Sequence, residues 1–578
     1  MKTKILTLTA ITGMLAFTYS CKKSGTGVPE PNGPDTTVVI QPAIDPPLAS
    51  TIGFFLDDWQ PVNFTSPTTF ANGTVPSASG TTITIDRSSV ITKIPRSLFG
   101  NNSNTWMTQI VTEAPLMDHI NTLHPHIIRF PGGSISDVFF WNAPANTPPA
   151  DAPANLVNAS GVSAASGFWF GKNADNWTLS LDNYYSLLQQ TGNQGLITIN
   201  YGYARYGKAA NPVAAAAHLA ADWVRYDNGR TKYWEIGNEN FGDWEAGYRI
   251  NTADNLDGQP QILTGQLYGQ HFKVFADSMR KAATELGKTI QIGAVTVEAT
   301  PPAWGTQTLQ TWNAGLLSAA TNVPDYYVIH SYYTPFNTNS NATDVLNSAL
   351  TETKKMIEYV KTTLQNAGAS IKPVAMDEWN IFATGSKQQV SHINGLHSDL
   401  VIGEIIENKF GMASRWDLAN AWANGDDHGM FNNGDEPDLV PKWNPRPAFY
   451  HQYFHKKYLG DRSVSSTSTS AELESYASSF SSGEVGVVLV NKSANDKPVE
   501  IKVNNFRKGN RYYWYTLSGD NDNGEFSRKV LVNGSGPAFA SGGPANYKTI
   551  QPYSASATGA IRVTVPARSA VFMAIDKK

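Results

Sequence analysis

Cysteine is all but missing: Cys21 is the only one in 578 residues. No intramolecular disulfide can form, and no cluster of cysteines can hold a metal. Charge is also sparse. Asp, Glu, Lys and Arg make up 16% of the chain, 44 basic against 48 acidic residues, for a net charge of −4. That balance gives no electrostatic reason to bind nucleic acid or an anionic membrane surface. After the first twenty residues, no apolar run reaches the roughly 18–20 residues that a membrane span needs. Aromatic residues, by contrast, are plentiful: 15 Trp, 24 Tyr and 25 Phe, in a chain that is 41% hydrophobic. Many aromatics with little charge suit a neutral polymer, because flat rings stack on the apolar faces of sugars.

The amino terminus reads as an export signal. Lys2 and Lys4 precede the apolar run 5–17, and the small Ser20 stands directly before Cys21. A lone Cys at that place is the expected lipidation site of a bacterial envelope lipoprotein. The mature chain is then exported and meets the membrane only through its lipid. Residues 22–50, rich in Pro, Gly, Ser and Thr, read as a flexible tether. The alternating TTITID at 81–86 reads as a strand, and 51–96 as a segment that lends it to a later domain.

From 97 to 462 short apolar strands alternate with helical stretches, the pattern of βα units around a parallel sheet. The eight candidate strands are 97–100, 126–130, 195–200, 232–236, 289–295, 325–330, 372–376 and 412–417. Eight such units predict a (β/α)8 barrel of α/β class, which places the site at the carboxyl ends of its strands. From 463 to 578 helical periods give way to short alternating runs between turns, which predicts a C-terminal β-sandwich. The run Asp520-Asn521-Asp522-Asn523-Gly524 lacks the distal Glu of a calcium loop and reads as a turn. His124 and His126, with no third ligand nearby in sequence, read as structural. No metal site or cofactor is expected.

Two segments carry the chemistry. In KYWEIGNEN, 232–240, a strand ends in Gly237-Asn238 and presents Glu239 at its carboxyl end. The rival Glu235 lies mid-strand, where a carboxyl is more often a buried, hydrogen-bonded group. In KPVAMDEWNIF, 372–382, Asp377 and Glu378 follow a buried strand. Adjacent strand residues face opposite ways, so the pattern alone leaves open which of the two turns inward. Two carboxyls facing each other across a barrel mouth can protonate a leaving oxygen and attack an anomeric carbon.

These motifs resemble those of the clan A retaining glycoside hydrolases, and in particular the family 51 α-L-arabinofuranosidases. TTITID with IPRSLFG, IIRFPGG, WEIGNE, IHSYY and DEWN occur in that family's order over roughly 81–417. The resemblance implies Glu239 as acid/base, Glu378 as nucleophile, and Asn238 as a partner of the sugar's 2-hydroxyl. It places His330 and Tyr332 in support of the nucleophile and requires no cofactor. Arg129 is a candidate to orient Glu378, and Trp416, Trp422, Trp141 and Trp244 are candidate sugar platforms. At two sugar-contacting positions the sequence departs from the family: Ser134 replaces the Asn after Pro-Gly-Gly, and Asn101-Asn102 stand where a Glu is usual. The expected substrate is an oligo- or polysaccharide of plant or algal origin. Three modes stay open: an exo-acting glycosidase with a closed pocket, an endo-acting hydrolase with an open aromatic cleft, and a non-catalytic glycan-binding lipoprotein. The sequence leaves the oligomeric state undetermined.

Overall fold

The computed structural model describes residues 40–578 except 384–386, 521 and 523. The export signal, Cys21 and most of the tether lie outside the described residues. Residues 41–50 form no helix or strand and are held against the sandwich rather than free. Asp45 there accepts from Arg462 at 2.6 and 3.1 Å and pairs with Lys93 at 3.2 Å.

Eight parallel strands close into a barrel. In order they are Gly100–Asn102, Ile127–Phe130, Gln194–Ile199, Tyr233–Ile236, Gln291–Val295, Tyr326–Ser331, Val374–Trp379 and Met412–Arg415. A helix follows each strand before the next begins. Several start on a polar side chain that accepts from the backbone N–H three residues on: Ser180, Asn211, Thr264, Thr306 and Asn341.

The first and seventh strands depart furthest from the expected bounds. The first begins three residues late, because Arg96–Phe99 forms a 3-10 turn behind Pro95. Gly100 then lets the first strand meet the eighth closely; a Cβ there would lie 2.2 Å from Ser414 Oγ. The seventh strand runs on to Trp379, and its register with both neighbours slips between Met376 and Trp379. That irregularity turns both Asp377 and Glu378 toward the same cluster of side chains, which simple alternation forbids. The peptide bonds Phe130–Pro131 and Trp416–Asp417 are cis.

The barrel floor is closed by a segment whose role the sequence hides. Gly53–Leu56 forms a 3-10 turn that places Ile52 and Phe55 against Ile127, Leu196, Tyr233, Tyr326 and Met412. Backbone pairing fixes it, since Val374 N–H donates to the Thr51 carbonyl at 2.9 Å.

The sandwich strands surround a core of Ile83, Ile85, Val464, Val487, Leu489, Val499, Ile501, Trp514, Val563 and Met573. The long strand Thr81–Lys93 lies inside this sheet, antiparallel to Arg462–Ser468 and parallel to Lys497–Asn504. The sandwich therefore needs chain from both sides of the barrel. It packs on the last two barrel helices, His392–Glu407 and Pro447–Tyr458, with Phe454 against Tyr515 at a centroid distance of 4.7 Å.

Candidate active site

Arg129, on the second strand, organises the barrel mouth. Its guanidinium is fully buried. Nε donates to Glu235 Oε2 at 3.0 Å, Nη1 to Asn102 Oδ1 and to Glu378 Oε2, both at 3.1 Å, and Nη2 to Asn238 Oδ1 at 2.8 Å. Asp377 Oδ2 lies 3.7 Å from Nε. One planar cation thus fixes residues from the first, fourth and seventh strands, a task suited to the rigid donor fork of Arg. The surrounding carboxylates raise its pKa further against the cost of burial.

This geometry separates the carboxyls into two levels. Glu235 and Asp377 are wholly buried. Glu235 also accepts from Thr198 Oγ1 at 2.9 Å, and burial lifts its pKa to about 7 despite Arg129. These two form the floor. Glu378 and Glu239 sit above them with side-chain exposures of 7% and 19%. Oxygens of Glu239 and Glu378 lie within 4.8 Å of each other. The same clusters of carboxylate and histidine contain ligand types for a metal, but Arg129 already supplies the compensating positive charge.

The two upper carboxyls have different donors. Glu378 accepts from Arg129 on Oε2 and from the Tyr332 hydroxyl on Oε1. Glu239 Oε1 is 2.9 Å from His330 Nδ1, and Oε2 accepts from Trp244 Nε1 at 3.2 Å. His330 Nε2 in turn lies 3.1 Å from Asp377 Oδ1. Burial alone would lower the His330 pKa, but Glu378, Asp377 and Glu239 raise it well above its ordinary value. Burial likewise works to raise Glu239, yet the His330 hydrogen bond and charge hold it below the usual carboxylate value. Glu378 is raised by burial and by Glu239, against His330, Arg129 and Tyr332. Arg129 and Trp244 do not titrate near neutral pH and Tyr332 holds its proton more tightly than a free phenol, so the proton within reach of Glu239 is the one it shares with His330.

The turn that presents Glu239 is built for it. Gly237 has φ +78°, and a Cβ there would fall 1.8 Å from Asn240 Oδ1. Glu239 itself has φ +40°. Asn238 donates through its backbone N–H to Asp137 Oδ2 at 3.2 Å and through Nδ2 to Glu245 Oε1 at 2.9 Å.

Several residues take other places than expected. Asn102 is fully buried and spends its amide on the carbonyls of Asp377, Ser414 and Arg415, so it braces Arg129 instead of facing a sugar. Ser134 is exposed but donates to Glu245 Oε1 at 2.7 Å. Trp416 is only 8% exposed and lies under Gly133, where a Cβ would come within 2.8 Å of its ring. Trp141 is core, stacked on Trp223 at 5.8 Å, and Trp422 is flanked by the guanidinium groups of Arg446 and Arg528. Trp244 alone of the candidate platforms beside the acid is widely open, at 59% exposure. His126 bonds Asp58 at 2.5 Å, a structural contact beneath the barrel.

Sequence patterns gave no sign of Glu245, Asp137 or Glu298. Glu245 is buried, and burial with the charges of Asp137 and Glu239 raises its pKa well above the usual range. Burial lifts Asp137 and Glu298 to about 7.

Residues 119–348 match the family model of the alpha-L-arabinofuranosidase 1 domain. The match takes in the fourth-strand motif with Glu239 and the sixth-strand motif with His330 and Tyr332, but stops before Glu378. A curated relative, the intracellular exo-alpha-(1->5)-L-arabinofuranosidase of Streptomyces lividans, is 22% identical over 295 residues. That match spans 48% of this chain and 39% of the relative. The family 51 alpha-L-arabinofuranosidase AbfB of Bifidobacterium longum superposes with a TM-score of 0.59 at 15% identity, over 86% of this chain and all of that one (100%). A family 44 xyloglucanase of Paenibacillus polymyxa shares the fold at a TM-score of 0.54 and 11% identity, over 86% and 100% of the two chains. The fold of this chain is therefore shared by proteins named for different activities.

Proposed function

We propose that this chain is a retaining glycoside hydrolase that removes a terminal or side-chain sugar, of the α-L-arabinofuranosyl kind, from a plant or algal polysaccharide. The observation that carries this is the Glu239–Glu378 pair at the ends of the fourth and seventh strands, with oxygens within 4.8 Å. That approach suits carboxyls about 5–5.5 Å apart, the spacing of direct nucleophilic attack, rather than the roughly 6.5–9.5 Å of inverting pairs.

The chemistry is a double displacement. Glu378, its charge fixed by Arg129 and Tyr332, attacks the anomeric carbon. The leaving oxygen takes the proton that Glu239 holds with His330. When that proton sits on Glu239, neutral His330 accepts the hydrogen bond at Nδ1 and keeps its own proton on Nε2, 3.1 Å from Asp377 Oδ1. In the second step Glu239 takes a proton from water as the glycosyl–Glu378 ester is hydrolysed, and the anomeric configuration is retained. Asn238, held by Arg129 and Glu245, is the partner of the sugar's 2-hydroxyl that the resemblance to family 51 implies.

Burial sets the direction of the substrate. The nucleophile is enclosed, while the acid opens past the exposed Trp244. A small glycone therefore sits against Glu378 and a large leaving group extends over Trp244, which favours the exo-acting mode. The sequence features around Cys21 support an exported, lipid-anchored protein acting at the cell envelope.

Replacing Glu378 by Gln is expected to lower kcat on 4-nitrophenyl α-L-arabinofuranoside by about 10⁴-fold or more. Glu239→Gln should cost about 10²–10⁴-fold on substrates with poor leaving groups and far less on activated aryl glycosides. Wild-type rates on a natural glycan in either variant would overturn the proposal.

A further inference from the structure

A second cavity opens on the catalytic face, away from the carboxyl pair. It has a volume of about 280 Å³ and lies between the loops that follow the first and second barrel strands. Phe168, Trp169 and Trp177 supply its aromatic walls, and Asn146, Asn173 and Asp175 its polar rim. Trp169 and Trp177 meet edge to face at 5.7 Å, and Trp177 keeps 51% of its surface exposed.

This exposed indole stands on a tied-down turn. The Trp177 carbonyl accepts from Thr108 N–H at 3.2 Å, Leu179 N–H donates to the Thr105 carbonyl at 2.8 Å, and Gln109 Nε2 donates to the Asp175 carbonyl at 2.8 Å. Phe168 is anchored below against Phe140 at 5.1 Å. Clustered aromatic rings, one of them half in water and rimmed by polar groups, mark a contact surface. The lining contains amides, hydroxyls and one carboxylate but no Lys, Arg or His. That chemistry rejects phosphate, sulfate and uronate, and fits the hydroxyls and apolar ring face of a neutral sugar.

The cavity is joined to the catalytic centre. Thr105 lines it, and the next residue, Trp106, meets Trp416 edge-on at 6.3 Å. Trp416 lies under Gly133, and its backbone N–H donates at 3.0 Å to the carbonyl of Trp379, the residue after Glu378. We propose that this cavity is a remote subsite that holds a neutral sugar residue of the same chain whose glycosidic bond lies between Glu239 and Glu378. The proposal rests on the glycoside hydrolase function above.

The test uses Trp177→Ala and Trp177→Phe in the full chain and in the Glu378→Gln background. Calorimetric titration of the Glu378→Gln protein uses 1,5-α-L-arabinohexaose and xylohexaose as probes. Trp177→Ala is expected to weaken hexasaccharide binding by about 5–10-fold, and Trp177→Phe to retain most of it. In the active protein, kcat/KM on polysaccharide should fall by the same factor. The melting temperature and aryl glycoside hydrolysis, which needs only the pair, should not change. Unchanged hexasaccharide affinity in Trp177→Ala, or no binding of either probe before substitution, overturns the subsite. Weakened binding with unchanged polysaccharide kinetics overturns the claim that one chain spans both places. Should the wild type hydrolyse no glycoside while Trp177 still governs hexasaccharide binding, the catalytic proposal fails and the sugar site stands.

Discussion

His330 stands between two acids, with Glu239 2.9 Å from Nδ1 and Asp377 3.1 Å from Nε2. Its pKa is raised, so the pair keeps its shared proton through the pH where a free imidazole, at 6.5, would lose it. Activity needs that proton, and the basic limb of kcat/KM therefore reports the pair. In His330→Asn only the Glu239 carboxyl remains to hold the proton, without the imidazole that shares it. The limb should move to lower pH, measurable on a glycoside with a poor leaving group; an unmoved limb would place the proton elsewhere. Glu245 calls for a different pair of substitutions. Its carboxyl, whose pKa burial raises, accepts on Oε1 from both Ser134 and Asn238. Glu245→Gln preserves that acceptor and should retain activity within a few-fold. Glu245→Ala leaves the buried Asn238 amide unmet, at about 1–3 kcal/mol, and frees its side chain. Its kcat should fall by roughly tenfold or more with the melting temperature lowered, and equal losses in both variants would show that charge, not position, matters.

At the scale of elements, the turn after the fourth strand decides where the acid points. Gly237→Ala forces a Cβ into Asn240 at φ +78°, a backbone strain of roughly 1–2 kcal/mol before any clash is counted. The turn must shift to relieve it, and a displacement of about 1 Å at a reacting group costs about 10²-fold. The expected result is a large loss of kcat on poor leaving groups with a smaller loss on activated ones, read from paired kinetics. This turn was legible in the sequence because strand, glycine and carboxyl follow each other within nine residues, and the seventh-strand motif is equally local. The choice between Asp377 and Glu378 was not. It depends on a register slip that only the pairing with the neighbouring strands creates. Asn102 was misplaced for a similar reason: its neighbours suggest a sugar contact, while its partners are carbonyls some 275–313 residues away. Glu245 reaches Ser134 across 111 residues of chain, and no periodicity encodes a contact of that kind. The plug at Gly53–Leu56 is too short to carry a pattern at all.

At the scale of the molecule, the barrel and the sandwich share a titratable seam. Glu404, on a barrel helix, accepts from the Tyr476 hydroxyl of the sandwich at 2.9 Å and from Asn408 at 3.2 Å. The contact is tight, since a Cβ on the adjoining Gly403 would meet the Tyr476 ring at 2.4 Å. Burial lifts both Glu404 and the nearby Glu407 from 4.5 to about 7, and the neighbouring Glu474 adds to the shift of each. A carboxyl whose folded pKa exceeds its unfolded one binds its proton more tightly in the folded state. The stability it contributes is complete below about 4.5 and is lost as the pH rises through about 7. The melting temperature of the wild-type protein should thus decline between pH 5 and 8. The double variant Glu404→Gln, Glu407→Gln keeps an acceptor for Tyr476 without a titrating proton, and its melting temperature should decline less over the same range. Scanning calorimetry at several pH values separates the outcomes: parallel curves for the two proteins would mean that the seam holds its charges in some other way, and convergence at low pH with divergence above 7 would assign the slope to these two carboxyls.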